Sequence, residues 1–116
     1  MLGTDHPDTA TYLNNLAAAF RDQERNNAAE PLYIQSLLTN RRMLGADHPT
    51  TATSLNNLAQ LYRAQERYSD AEPLLDEALS IHRRVLGADH PATGDSLNNL
   101  AGFHLEQGRY AKAAPL

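Results

Sequence analysis

The sequence contains no cysteine and no tryptophan, and aromatic residues make up only 6% of its 116 positions. Without cysteine there can be no disulfide framework and no thiolate chemistry. That composition fits a reducing compartment, and a cytoplasmic location is expected. Basic residues are also in short supply: 10 Lys and Arg stand against 14 Asp and Glu, a formal charge of −4. Nucleic-acid binding calls for a clustered basic face, which such a chain does not offer. No apolar run approaches the roughly 18 residues that span a bilayer, and the N-terminus turns polar at Thr4, unlike a signal peptide. Nucleophile elbows, phosphate-binding loops and His-Glu-x-x-His zinc motifs are missing as well. The expectation is therefore a non-enzymatic chain with no cofactor and no metal. It is not disordered, because 41% of its residues are hydrophobic, enough to build a core.

What the sequence does have is a repeat. Leu2-Gly3-Thr4-Asp5-His6-Pro7 returns as Leu44-Gly45-Ala46-Asp47-His48-Pro49 and as Leu86-Gly87-Ala88-Asp89-His90-Pro91, with a constant spacing of 42 residues. Residues 2–43 aligned on 44–85 share 24 identities in 42. A second block, Leu55-Asn56-Asn57-Leu58-Ala59, travels with the first. Self-similarity at this period is the mark of a solenoid, in which each unit buries its apolar face only against its neighbours.

Within a unit the period is helical. Leu55, Leu58, Ala59 and Tyr62 form one stripe at i, i+3, i+4, i+7, and Ala71, Leu74, Leu75, Ala78, Leu79 and Ile81 form another. The first stripe predicts a helix A over about 50–65, begun by Pro49 and capped by Asp47 or Thr50. The second predicts a helix B over about 69–85, with Pro73 (and Pro31 one unit earlier) in its first turn. A link of about four residues, Gln65 to Tyr68, forces the two helices antiparallel. The predicted fold is an all-α solenoid in one array over 1–116, with repeats at about 2–43 and 44–85 and a partial repeat at 86–116. The last stops six residues into its helix B, so the chain reads as a piece of a longer array.

The spacing of Leu55, Leu58, Ala59, Tyr62, Tyr68, Ala71, Leu75 and Ala78 resembles the tetratricopeptide repeat. The 42-residue period and the Gly-x-Asp-His-Pro…Leu-Asn-Asn-Leu-Ala wording are similar to its kinesin light chain subgroup. The resemblance implies stacked helix hairpins whose A helices line a groove for a partner protein. Some positions depart from the pattern. Glu24 and Glu66 stand where such repeats carry glycine after helix A, so those turns should be strained or differently shaped. Asn26 replaces the aromatic present at Tyr68 and Tyr110, and Ser36 replaces the small apolar Ala78, which suggests a looser first repeat.

The three Asp-His pairs read as linker and helix-start signatures rather than metal or acid–base sites, because their register is locked to the repeat and sets them on the order of 10 Å apart. His82 is expected to be exposed on helix B, and His104 to pack in the place of the aromatics Phe20 and Tyr62. The face of helix A turned from the B helices should carry a peptide-binding groove made by Asn14, Arg21, Thr53, Asn56, Gln60, Arg63 and Asn98. A carboxamide both donates and accepts, so a ladder of Asn14, Asn56 and Asn98 could pair with any peptide backbone. Arg21 and Arg63 could hold a carboxylate. Asn15, Asn57 and Asn99 would then be structural. The expected partner is a protein or peptide bound without catalysis. The alternative is a structural or self-assembling spacer. Leu97, Leu100 and Phe103 would form an open patch through which a homo-oligomer could assemble.

Overall fold

The computed structural model describes residues 7–108, which form five α-helices and, among those residues, no strand. They are α1 Pro7–Asp22, α2 Asn26–Leu44, α3 Pro49–Ala64, α4 Tyr68–Leu86 and α5 Pro91–Glu106. Each A helix packs on its own B helix (α1 on α2, α3 on α4), and each B helix packs on the next A helix (α2 on α3, α4 on α5). α3 also meets α5 directly. The boundaries lie within a residue of those predicted.

The core is the predicted pair of stripes. Leu55, Leu58, Ala59 and Tyr62 of α3 are buried, as are Ala71, Leu75, Ala78, Leu79 and Ile81 of α4, while Leu74 is partly buried against them. Each buried leucine or isoleucine contributes about 1.5–3 kcal/mol. α3 also buries Thr51, Ala52, Ser54, Asn56 and Leu61, because a central A helix has neighbours on both flanks.

Repeated polar contacts define the joints. Pro49 and Pro91 occupy the first helical turn, but the cap is not Asp47 or Thr50. Nδ1 of His48 accepts the Thr50 amide at 3.0 Å, and Nδ1 of His90 accepts the Ala92 amide at 3.0 Å. An imidazole nitrogen thus plays the part usually given to Ser or Asp, and Asp47 instead receives Arg84 at 3.1 Å. Asp5 and His6 lie outside the described residues. The Thr51 hydroxyl donates to the Gly45 carbonyl at 2.8 Å, and Thr93 to Gly87 at 2.7 Å, closing each linker in the same way.

The turns after helix A keep one shape whether or not glycine is present. Glu24 and Glu66 adopt φ of 60° and 59°, beside 72° at Gly108. The Arg67 amide donates to the Tyr62 carbonyl at 2.8 Å and the Glu66 amide to the Arg63 carbonyl at 2.9 Å, and Arg25 and Glu24 do the same with Phe20 and Arg21. These are Schellman closures with glutamate in the left-handed position. The expected strain is therefore present and the expected change of shape is not. The accompanying side-chain contact is a cation over a ring: the Arg67 guanidinium lies 4.2 Å from the Tyr62 centroid and Arg25 lies 4.6 Å from that of Phe20.

Two sequence expectations are corrected. Pro31 and Pro73 fall in the second turn of α2 and α4, since these helices start at Asn26 and Tyr68. Both prolines are exposed, so the carbonyl each leaves without a helical amide lies on the outer side. Ser36 does not loosen the first repeat: it is buried, and its hydroxyl donates to the Ala10 carbonyl at 2.7 Å.

Candidate functional site

The A-helix face was expected to present the first asparagine of each pair. In the central helix α3 the structure places the second one there. Thr50 and Thr53 are exposed and Asn57, Gln60 and Arg63 half-buried, whereas Asn56 is only 9% exposed. Consecutive helical residues point about 100° apart, and this difference turns Asn56 into the joint with α5. Its Nδ2 donates to Ser96 Oγ at 3.0 Å. Asn56 is thus a joint residue and not part of the exposed ladder.

Between α1 and α3 the same face opens into a cavity of about 140 Å³. Its floor is made by the buried residues Ala10, Ser36, Asn40 and Ser54, with Asn40 donating to Ser54 Oγ at 2.8 Å. The exposed Thr11, Thr50 and Thr53 form its rim, and half-buried Asn14 and Asn57 stand between floor and rim. Asn57 donates to Asn14 Oδ1 at 2.9 Å, so the two carboxamides face each other across the repeat boundary. Every polar lining residue is uncharged.

The joint between the second and third repeats has the same frame and other chemistry. Asn40 becomes His82, Ser36 becomes Ala78, Thr50 becomes Ala92 and Thr53 becomes Asp95. His82 is buried, not exposed as expected, and its Nδ1 lies 2.6 Å from Ser96 Oγ. Burial holds the imidazole below its ordinary pKa, and nearby His90 pushes the same way. The Pro49 carbonyl and Asp95 oppose the shift. Asn56 Oδ1 is buried without a hydrogen-bond partner. Further along, Arg63 lies over Gly102, at 3.7 Å from where a Cβ would stand. Its guanidinium donates to Gln60 at 3.0 Å and reaches Glu106 at 3.4 Å. Arg63 is thus engaged across the joint and holds Gln60 within α3, and Asn98 is exposed on α5. Arg21 lies near the buried Tyr33, whose phenol is raised by burial first, with Arg21 opposing the shift.

Ion pairs also link one repeat to the next. Arg67 meets Glu30 at 2.7 Å and Arg41 meets Glu77 at 3.0 Å, while Arg67 also holds Asp70 at 3.1 Å within its own repeat. The Glu30 hydrogen bond raises the Arg67 pKa. The phenol of Tyr62, beneath Arg67, is raised by burial and then by Glu30.

Leu97, Leu100 and Phe103 do not form an open patch. Phe103 is fully buried, with its ring edge-on to Tyr68 at 5.9 Å, Leu100 is buried beside it, and Leu97 is partly buried against the same core. This surface of α5 is the one that packs on α4. His104 is buried as a packing residue, with its ring 5.5 Å from that of Phe103.

Sequence reasoning missed the cavity because its floor is assembled from three helices, Ala10 of α1, Ser36 and Asn40 of α2 and Ser54 of α3. Within its own unit Ser36 reads only as a departure from the repeat pattern, and nothing within that unit singles out Asn40. The signal available was their polarity on an otherwise apolar stripe, paired with Ser54 on the next helix A.

Among curated proteins none matches this chain in sequence. In structure it is similar to BtubC (BKLC) from P. vanneervenii, with a TM-score of 0.87 and 26% identity over 95% of this chain and 44% of that one. It is likewise similar to a kinesin light chain protein of Podosopora anserina with nearly identical TPR-like repeats. That match has a TM-score of 0.86 and 26% identity over 97% of this chain and 54% of the other. The chain therefore spans about half the length of the solved structures it matches. The family model described as tetratricopeptide repeat matches residues 8–83 and 63–116, and with the helix order and turn geometry above, the chain belongs to the tetratricopeptide repeat family.

Proposed function

We propose that this array binds an extended segment of a partner protein along the face shared by α1, α3 and α5, without catalysis. Repeats of this family generally mediate protein–protein interaction. The observation that carries the reading here is the polar cavity opening on that face, with Asn14 and Asn57 at its mouth. An extended chain exposes unpaired backbone donors and acceptors, which carboxamides and hydroxyls can satisfy without regard to its sequence. Thr53 stays a groove residue in this reading, and Asn57 takes the place given to Asn56.

The test is a synthetic peptide array probed with the labelled chain, with hits titrated by calorimetry against Asn57→Ala and Asn14→Ala. Loss of about 1 kcal/mol of affinity on either change, with the melting temperature little altered, supports the groove. An array with no hits, or hits indifferent to both changes, would leave the spacer reading in its place. Among the described residues no helix is long and apolar enough to cross a membrane.

A further inference from the structure

We infer that the cavity between α1 and α3 is a subsite for one primary carboxamide, the end of an asparagine or glutamine side chain in the bound segment. This rests on the groove reading above and narrows it.

Charge comes first. No ionisable group lines the cavity. A carboxylate or ammonium entering it would lose its water with no opposite charge in return, a cost far above that of a neutral group. Size comes second. About 140 Å³ is room for on the order of four or five waters, and less than half the roughly 300 Å³ at which pockets for whole small molecules begin. One side-chain terminus fits that space. Depth comes third. The floor residues are buried and the rim residues exposed, so a chain lying across Thr11, Thr50 and Thr53 can lower a side chain between them. A backbone amide, continued by chain on both sides, cannot descend in the same way.

The polar groups then select among neutral termini. The Asn57–Asn14 bond uses the Asn57 amide nitrogen and the Asn14 carbonyl oxygen. The Asn14 amide nitrogen and the Asn57 carbonyl oxygen remain as a donor and an acceptor on adjoining walls. A hydroxyl must donate and accept from a single oxygen, whereas a carboxamide presents its N–H donors and its carbonyl on separate atoms at fixed spacing and can reach both walls at once. The corresponding place one repeat later lacks these properties. Asp95 brings a charge to its rim, Ala78 and Ala92 remove hydroxyls, and His82 and Asn56 both turn onto Ser96. The subsite is therefore specific to the first joint.

The experiment is a titration of the whole chain with propionamide, followed in proton–nitrogen NMR spectra by the side-chain amide signals of Asn14, Asn40 and Asn57. Propionate, the charged analogue of the same shape, and N-methylacetamide, a backbone mimic, serve as comparison probes. The expected result is a saturable shift of the Asn14 and Asn57 signals with propionamide, at least about tenfold weaker with either comparison probe, a factor of ten being about 1.4 kcal/mol. Asn40→His should abolish the response while the chain stays folded, because it imports the residue already seated against the equivalent serine at position 82. An equal response to propionate or N-methylacetamide would overturn the assignment, as would the absence of a saturable shift or a response retained in Asn40→His. Because the probe is read without a peptide, peptides that bind while the amide signals ignore propionamide would remove the subsite and leave the groove.

Discussion

The two joints between repeats are built on one frame and filled differently. At the first, Ser54 accepts from Asn40 alone, and the neighbouring carboxamides pair with each other at the mouth of a cavity. At the second, Ser96 gathers both Asn56 and the larger His82, and Arg63 crosses Gly102 to Glu106. The backbone geometry that makes the joints equivalent is set by the shared linker and turn residues. What differs is the side chains: Asn40 against His82 and Ser36 against Ala78 on helix B, and Thr50 against Ala92 and Thr53 against Asp95 on helix A.

Removing the two serine hydroxyls should break this comparison most sharply. Ser96→Ala strands a buried Asn56 nitrogen and a buried His82 nitrogen, and each unsatisfied buried group costs about 1–3 kcal/mol. A destabilisation of about 2–3 kcal/mol in urea unfolding is expected. Ser54→Ala strands only the Asn40 nitrogen beside an open cavity and should cost about 1 kcal/mol or less. Equal costs would mean that the joints are energetically alike despite their different contacts.

A second comparison lies in the turns, where Glu24 and Glu66 hold the conformation that Gly108 holds without a Cβ. Left-handed backbone costs a non-glycine residue roughly 1–2 kcal/mol, offset in part by the extra freedom glycine loses on folding. Glu66→Gly should therefore stabilise by about 0.5–1 kcal/mol, seen as a raised midpoint in the same unfolding experiment. Glu24→Gly should act alike. A loss of stability in either would show that contacts of the glutamate side chain outweigh backbone strain.

The smallest effect near neutrality is that of pH on the second joint. His82 is buried in its neutral form, so its folded pKa lies below the ordinary 6.5. The unfolded chain then binds more protons at mildly acid pH, and stability is complete above about 6.5 and falls as the pH drops toward the lowered folded value. A single group cannot contribute a slope above about 1.4 kcal/mol per pH unit. Thermal melts of the native chain and of His82→Asn, which installs the first joint's residue, should diverge below that pH. Parallel curves would show that His82 is not the group responsible.

The helices, their pairing and the two apolar stripes could all be read from residues 44–85, because each depends on local periodicity and on turns only a few residues long. The site was less legible. His82 looked like a surface histidine within its own helix, and only the approach of Ser96 from the next repeat buries it. Ser36 looked like a packing defect, and the Ala10 carbonyl satisfies it. Leu100 and Phe103 looked open because the sequence shows which residues are apolar but not which of two flanking helices covers them.

By itself the sequence determined the 42-residue period, the helix–turn–helix unit, and the place where each chain reversal needs a left-handed residue. These follow from interactions within a few positions of the chain, repeated until they are unmistakable. It did not determine which member of each asparagine pair faces outward, because Asn56 and Asn57 travel together through every repeat and satisfy the same periodicity. Neighbouring residues differ by about 100° around a helix, so the choice falls to the rotation of α3 about its own axis. That rotation is set by packing against α4 within the repeat and α5 beyond it, contacts made only when the repeats stack.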